Sequence, residues 1–262
     1  MKWIKKMKKL PRGRRGLILA LAVVLILGAF SVTPAGQAVR AAAMKRDLPI
    51  YCVQKDSKVC SLSFDAAWGN EDTQQLIDIL GKYNIKATFF VVGDWVDKYP
   101  ESVKALHDAG HEVMNHSNTH AHMTKLSAEE IIADVNACSD KIESVTGVRP
   151  ELFRPPYGEY DDKVVSTLRE MGMYTIQWDV DSLDWKEISA AEITERVTSR
   201  VQEGSIVLFH NAAKHTPEAL PGLIEKLIQQ GYSFVPISEL ILRENYDIDH
   251  TGRQIPVAGA VQ

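Results

Sequence analysis

The amino-acid sequence predicts an α/β fold, namely a single (β/α) barrel of about seven parallel strands that is closed or nearly closed. Short apolar runs alternate with stretches of helical periodicity over residues 47–243. The loops between them are short, as in sheets whose parallel strands are joined by helices. No linker interrupts this range, so we expect one domain there. An open doubly wound sheet is the alternative, but no glycine-rich phosphate-binding loop follows the first strand.

The predicted strands are apolar runs bounded by polar or turn-forming residues. In chain order they cover residues 59–65, 87–93, 111–116, 152–156, 173–180, 205–211 and 232–237. The helical stretches between them cover residues 71–83, 101–110, 127–147, 161–172, 189–204 and 216–231. The third helix begins with Ser127 and Glu130 in a capping box and ends in a glycine, so both of its ends are marked in the sequence.

Residues 1–43 have the composition of an export signal. A basic start, "MKWIKKMKKLPRGRR", precedes an uncharged apolar run from Gly16 to Phe30 and a tail of small residues. The apolar run is shorter than the roughly 20 residues that a membrane span usually needs. A cleaved signal peptide is therefore favoured, and an uncleaved anchor is the alternative. In either case we expect the body outside the cytoplasm, secreted or anchored in the cell envelope, with membrane contact only through this segment.

The rest of the chain is acidic. Beyond residue 43 there are 21 Lys and Arg against 34 Asp and Glu, a balance of −13. Nucleic acid is therefore excluded as a partner, because phosphate binding needs a basic face. Cys52 and Cys60 flank a segment typical of a hairpin, so a disulfide between them is one interpretation, but small buried thiols are favoured. Residues 244–262 are polar and weakly patterned, and we expect a loose tail.

Titratable or charged side chains end five of the predicted strands. They are Asp65, His116 with His120, Arg154, Asp181 with Asp184, and His210. The active site of a parallel barrel lies at the carboxyl ends of its strands, so these side chains are expected to converge. The spacing of the first two histidines would let both imidazoles reach one metal ion from a helical turn. In "RPPYG" the prolines stiffen the backbone, so that the N–H of Tyr157 can be held towards a developing oxyanion.

Five motifs together resemble those of the polysaccharide deacetylases, the family-four carbohydrate esterases. "SFDAAWG", "HSNTH", "RPPYG", "DSLDW" and "LFHN" occur in that family's order and spacing over about residues 47–243. The resemblance implies a deformed (β/α) barrel, the NodB homology domain, and a hydrolase in which a divalent ion, usually zinc, polarises the acetamide carbonyl and the attacking water. The implied substrate is an N-acetylated cell-wall polysaccharide, either peptidoglycan or a chitin-like polymer. The first motif also resembles the branch associated with spore formation in Gram-positive bacteria, which implies a location in the cell or spore envelope.

The resemblance implies a role for each matching residue. Asp65 matches the general base, and Arg154 matches the partner that keeps this carboxylate ionised. His210 matches the general acid that protonates the leaving amine, and Asp184 tunes its pKa. The residues implied at the acetyl group are Tyr157 for the oxyanion and Trp185 and Leu208 for the pocket walls.

The implied metal site departs from the family pattern. His116 and His120 match two of the ligands, but the family usually has "FDDG" where this chain has "FDAA". An ungapped match puts Ala66 in place of the third ligand, and catalytic zinc sites normally have three protein ligands. Weak binding is expected unless another acidic or amide side chain reaches the ion; the candidates are Asp65, Asn70 and Asp72.

Three functions are therefore in competition. The first is a polysaccharide deacetylase, favoured by the intact acid and base. The second is a glycan-binding or structural pseudoenzyme on the same scaffold, favoured by Ala66. The third is a hydrolase that acts on another amide or ester.

Overall fold

The computed structural model describes residues 46–257. The predicted export segment and residues 258–262 lie outside the described residues. The chain divides into two units between Arg46 and Asp47, and everything below concerns the second unit. Within the described range, none of the helices has the length and apolar content that a membrane-spanning helix requires.

The main sheet is parallel and curled. The strands of the structure are β1 (Cys52–Val53), β2 (Val59–Ala66), β3 (Thr88–Val91), β4 (Glu112–Asn115), β5 (Leu152–Phe153), β6 (Tyr174–Thr175), β7 (Val180–Asp181), β8 (Ile206–His210), β9 (Ser233–Phe234), β10 (Tyr246–Ile248) and β11 (Arg253–Pro256). Seven of them form the sheet in the order β6-β5-β4-β3-β2-β8-β7, and β9 pairs with the start of β2 beside this path. All of these pairs are parallel, so the predicted deformed barrel is confirmed.

The barrel remains open between β6 and β7. The predicted strand 173–180 is wrong as a single strand, because its two ends belong to opposite edges of the sheet. Ile50 covers the edge at β6: its N–H donates to the carbonyl of Thr175 at 2.8 Å, and its own carbonyl accepts from Gln177 at 2.7 Å. The start of the domain thus pairs with the edge strand β6, so these backbone groups of the edge are hydrogen-bonded.

Most of the helices lie on the outer face of the sheet, and the last, short one packs against its inner face. They are α1 (Thr73–Lys82), α2 (Gly93–Lys98), α3 (Pro100–Asp108), α4 (Ala128–Thr146), α5 (Asp162–Glu170), α6 (Ala190–Thr198), α7 (Thr216–Gln229) and α8 (Ile237–Leu240). The predicted capping box is confirmed at the start of α4, where Ser127 and Glu130 each accept from the other's backbone N–H. Gly147 ends α4 at φ 74°, a left-handed conformation that glycine adopts without strain.

Strand β2 sorts its side chains between two layers. Leu62, Phe64 and Ala66 are fully buried and belong to the apolar cluster between sheet and helices. The alternate residues Ser63 and Asp65 are also buried, and both contact the same arginine inside the barrel. Because this alternation continues to the end of the strand, the carboxylate of Asp65 lies inside the barrel at its carboxyl end.

The C-terminal segment is more ordered than the sequence predicts. The expectation of a loose tail over residues 244–262 is wrong for β10 and β11, which form a three-stranded sheet with β1. Gln254 is fully buried there, and its amide exchanges two hydrogen bonds of 2.7 Å with the backbone of Leu242. The partner strand β1 lies about 200 residues earlier in the chain, and a local sequence pattern cannot reveal such a pairing.

The cysteines are free and buried. The hairpin expected between Cys52 and Cys60 does not form, because β1 pairs with β11 while Cys60 lies in β2. Both residues and Cys138 are free thiols, as the favoured interpretation predicted. Burial raises the pKa of Cys52 to about 11 and those of Cys60 and Cys138 to about 12, so the thiols stay protonated near neutral pH.

Candidate active site

The strand ends converge on one cavity of about 410 Å³. Seven of the residues given a site role line it: Asp65, His116, His120, Tyr157, Trp185, Leu208 and His210. Asp181, which was expected at the same strand ends, lines it as well. Arg154 and Asp184 lie behind this lining, with exposed fractions of 0% and 1%. The structure therefore brings together all nine residues of the predicted site, while their chemical roles stay predictions.

Asp65 forms a buried ion pair with Arg154. Nη1 of the arginine donates to Oδ1 of the carboxylate at 2.8 Å. Nη2 donates to the hydroxyl of Ser63 and to the carbonyl of Gln177, so the guanidinium is fixed against the strand. Burial opposes ionisation of Asp65, but the charge of Arg154 prevails, so the pKa of the carboxyl lies below its usual value. A carboxylate held ionised in this way can accept a proton from a water in the cavity.

His116 and His120 lie close together in the loop after β4, with ring centroids 5.1 Å apart. Nδ1 of His116 lies 2.7 Å from the carbonyl of Arg154, so this nitrogen carries the proton and Nε2 is left as an acceptor. Nε2 lies 3.5 Å from Oδ2 of Asp65. Burial lowers the pKa of His116, and burial together with His116 lowers that of His120 to about 4, so both rings are neutral near pH 7.

The loop that carries these histidines differs from the expected helical turn. Ser117 and His120 have φ of 71° and 58°, and no helix forms over residues 116–122 of the described chain. Asn115 and Asp134 supply the reason, because their side-chain oxygens accept from the backbone N–H groups of Ser117 and Asn118 at 2.8 and 2.9 Å. Side chains thus replace the hydrogen bonds that a helical turn would make.

His210 and Asp184 form the second charged pair. Nδ1 of the imidazole lies 2.8 Å from Oδ1 of the carboxylate, and Oδ2 accepts from the His210 backbone N–H and from the hydroxyl of Thr216. Burial disfavours the protonated ring, but the hydrogen bond and charge of Asp184 raise the pKa of His210 above its ordinary value. The free Nε2 therefore belongs to an imidazole that is prepared to donate a proton into the cavity.

The loop of "RPPYG" is strained at the cavity rim. Tyr157 has φ 60°, which is uncommon for a residue with a side chain, and Gly158 follows at φ 68°. The Tyr157 ring packs between two imidazoles: it meets His120 edge-on at 4.5 Å and stacks on His122 at 4.4 Å. Nδ1 of His122 lies 2.8 Å from Glu159, so this imidazole is fixed beside the Tyr157 ring.

Comparison with known proteins gives the family. A model of polysaccharide deacetylases matches residues 53–176. A peptidoglycan-N-acetylglucosamine deacetylase of Bacillus cereus is 31% identical over 184 residues, which are 69% of this chain and 67% of that protein. The chain belongs to the polysaccharide deacetylase family.

Other relatives differ in length and activity. The peptidoglycan-N-acetylmuramic acid deacetylase PdaC of Bacillus subtilis is 39% identical over 72% of this chain, but the match is 40% of PdaC. A second curated relative is matched over 60% of its length, so the chain spans about half the length of these two proteins. A wild-type CE4 family pseudoenzyme from Bacillus anthracis is 36% identical, with a TM-score of 0.72 over 80% of this chain and 73% of that one. A mutant described as this pseudoenzyme with restored enzymatic activity also has a TM-score of 0.72 at 39% identity, over 75% of this chain and 72% of the other.

The residues present do not make the three-ligand metal site expected of a catalytic zinc enzyme. Among residues 46–257, no group of three or more His, Cys, Asp or Glu side chains is placed to hold an ion. Ala66 presents a buried methyl group, and its neighbour Ala67 lines the cavity. Two neutral imidazoles remain as donors, one fewer than the usual protein set.

The substitutes considered from sequence are used elsewhere. Asn70 donates to the hydroxyl of Ser102 at 3.0 Å, and Oδ2 of Asp72 accepts from the backbone N–H of Ala212 at 2.9 Å. Asp65 is the nearest carboxylate to His116, but its other oxygen is held by Arg154. The third ligand is therefore not supplied by Asn70 or Asp72 in this arrangement.

Sequence reasoning missed three residues of the site. Trp68 and Trp178 line the cavity, and Asn211 ties the loop after β2 to the end of β8. Trp68 lies within the first motif and Asn211 ends the last one, so their positions were a usable signal. A tryptophan three residues after Asp65, next to a glycine, is the feature that could have marked the first of them.

Proposed function

We propose that this protein removes N-acetyl groups from an N-acetylated cell-wall polysaccharide, peptidoglycan or a chitin-like polymer, outside the cytoplasm. The observation that carries the proposal is the pair of charged dyads on one cavity: a carboxylate held ionised by Arg154, and an imidazole whose pKa is raised by Asp184. Two groups whose environments push their pKa values apart can serve as base and acid in one reaction.

The proposed chemistry is hydrolysis of an acetamide. Asp65 accepts a proton from water as the water oxygen bonds to the carbonyl carbon, and the carbonyl oxygen gains negative charge that the N–H of Tyr157 can stabilise. The C–N bond then breaks, its electron pair stays on nitrogen, and His210 gives that nitrogen a proton. The products are acetate and a free amine. Leu208 and Trp185 would enclose the methyl group of the acetyl, since both line the cavity.

A divalent ion, namely zinc, belongs to the proposal as a weakly held cofactor. Its support is the His116 ring, whose Nδ1 is engaged by a backbone carbonyl in the way that orients many metal-binding imidazoles. His120 would be the second ligand. Because the third protein ligand is missing, we assign no step of the reaction to the ion.

A second candidate function is glycan binding without catalysis. The observation that favours it is Ala66, which removes a ligand while leaving the cavity and both dyads in place. A structurally similar pseudoenzyme of the same family makes this a concrete alternative. A role in the spore envelope stays a prediction from the first motif.

Acetate release from N-acetylglucosamine polymers, with and without added zinc, tests the proposal. We expect release by the wild type and a loss of about 100-fold or more in Asp65→Asn and in His210→Gln. Asp108→Asn, an exposed carboxylate on α3, is the matched control and should keep wild-type activity. Since Asp65→Asn leaves Arg154 buried without its partner, its stability should fall by roughly 3 kcal/mol, and a melting curve must show that it is folded.

Binding of the polymer without any acetate release would favour the second candidate. Neither binding nor release, with the protein folded, would contradict both.

A further inference from the structure

Trp68 is an exposed indole at the mouth of the cavity. Its side chain is 57% exposed, although tryptophan is among the residues that gain most from burial. The ring centroid lies 6.0 Å from that of His120 and 6.2 Å from that of His210. The indole therefore stands between the imidazole of the incomplete metal site and the imidazole of the proposed acid.

The loop that carries Trp68 is anchored immediately on both sides. The N–H of Ala67 donates to Oδ1 of Asn211 at 3.3 Å. The carbonyl of Gly69 accepts from Nδ2 of Asn211 and from Nε1 of Trp95, the latter at 3.0 Å. Asn211 is itself 3% exposed, and its backbone N–H donates to the carbonyl of Asp65 at 3.0 Å. Asn211, which directly follows the proposed acid, thus contacts the strand of the proposed base through its backbone N–H and the Trp68 loop through its side-chain amide.

The rest of the loop is also held. Asn70 donates to Ser102, and Asp72 accepts from Ala212, so contacts reach both α3 and the chain after β8. Fixing the backbone and side chains of this loop costs conformational entropy. The fixed loop nevertheless leaves the Trp68 indole exposed to solvent. A ring held rigidly in solvent loses little further freedom when a ligand covers it.

We infer that Trp68 is a platform on which a sugar ring of the polysaccharide stacks, and that Asn211 is the positioning residue that holds this platform. One face of a pyranose consists of C–H groups and matches an indole, while its hydroxyl groups point outward from the ring edge. The cavity offers both kinds of partner, since Trp68, Trp178 and Trp185 line it together with Asp181 and Tyr157. A wholly apolar ligand would instead leave the carboxylates and imidazoles of the cavity desolvated without partners. The inference rests on the ligand class of the proposed function.

Titration calorimetry with the tetramer of β-linked N-acetylglucosamine tests it. We expect Trp68→Ala to raise Kd by about tenfold or more, as truncation of a central aromatic contact does. Trp68→Phe keeps a flat apolar ring and should stay within about threefold of the wild type. The matched control is Ile228→Ala, which removes a 47% exposed apolar side chain from α7. It should leave Kd unchanged, and the melting temperatures of all three variants should match that of the wild type.

A double-mutant cycle separates a role of Asn211 in positioning Trp68 from a general loss of folding or binding. Asn211→Ala should weaken binding in the wild type but cause no further loss in Trp68→Ala, because its effect passes through the indole. Equal Kd values for wild type and Trp68→Ala would overturn the inference while leaving the proposed function intact. An Asn211→Ala loss that persists in full without Trp68 would overturn the positioning role. A wild type that binds no tetramer would contradict the proposed ligand and the inference together.

Discussion

At the residue scale, the chemistry of this site depends on two neighbours on β2 that face opposite layers. Asp65 points into the barrel, where Arg154 holds it, and Ala66 packs its methyl group among buried apolar side chains. A carboxylate at position 66 would therefore start from an apolar environment and would have to turn towards His116 and His120. We therefore expect a low affinity for metal at a site that keeps the residues proposed as acid and base.

Ala66→Asp should bind zinc more tightly than the wild type and should be less stable without metal. The metal-free loss is expected to be on the order of 3 kcal/mol, because the new carboxylate is buried without a partner. Zinc binding adds free energy to the folded state, so zinc should raise the melting temperature of the variant more than that of the wild type. Calorimetric titration and thermal melts with and without zinc measure both effects.

Two further variants serve as controls for this prediction. Ala67→Asp places the carboxylate on the residue that already lines the cavity, and it should not carry the same cost of burial. Adding His120→Ala to Ala66→Asp should abolish the gain in zinc affinity. An equal zinc-induced rise in melting temperature for wild type and Ala66→Asp would show that position 66 does not supply a ligand.

At the element scale, the ends of α4 contrast with the histidine loop that precedes it. Ser127 and Glu130 begin the helix with reciprocal hydrogen bonds of 3.2 and 2.7 Å, all within four residues of sequence. The histidine loop takes its conformation from Asn115 and Asp134, and the second of these lies on α4 itself. The helix therefore forms from local signals, and its first turns then help to fix the backbone of the site.

Ser127→Ala should lower the free energy of unfolding by about 1 kcal/mol, because the N–H of Glu130 loses its acceptor at the helix start. Ser144→Ala is the matched control on the same helix, at an exposed position in the last turn, where alanine is the better helix former. It should be neutral or slightly stabilising. Urea denaturation of the two variants measures the difference, and equal losses would argue against the capping box as the stabilising feature.

At the scale of the whole molecule, the curled sheet is packed on both faces. A buried histidine lies at the amino end of β4, away from the cavity at the carboxyl ends of the strands. His111 is 4% exposed, lies against the ring of Phe89, and accepts the N–H of Ala87 on Nδ1 at 3.2 Å. Burial, with a smaller contribution from the charge of Lys86, lowers the pKa of His111 to about 4. The folded domain therefore holds this ring neutral at a pH where the unfolded chain would protonate it.

Between pH 6.5 and about 4 the unfolded state binds more protons at His111, so the stability of the fold should fall as the pH falls through this window. The loss from this residue should approach about 2 to 3 kcal/mol by the lower end. His111→Asn keeps an acceptor near the position of Nδ1 but does not titrate, so its free energy of unfolding should vary less between pH 7 and pH 4.5. Urea midpoints at the two pH values measure this difference. His107→Gln, a half-buried histidine on α3, is the control, and the same flattening in that variant would contradict the assignment.

The sequence by itself determined the parts of this protein that depend on local pattern. Alternation of apolar runs and helices predicted the parallel sheet. The seven titratable or charged residues at strand ends predicted a site, and five of them line the cavity while Arg154 and Asp184 lie behind it. Tertiary structure decided the rest, because the deciding contacts join distant parts of the chain. The pair of Asp65 and Arg154 spans 89 residues, and the bond between Asn211 and Gly69 spans 142. The strand partner of the C-terminal segment and the contact of Asp134 with the histidine loop likewise join residues that are distant in the chain and meet only in the folded domain, so no local pattern could contain them.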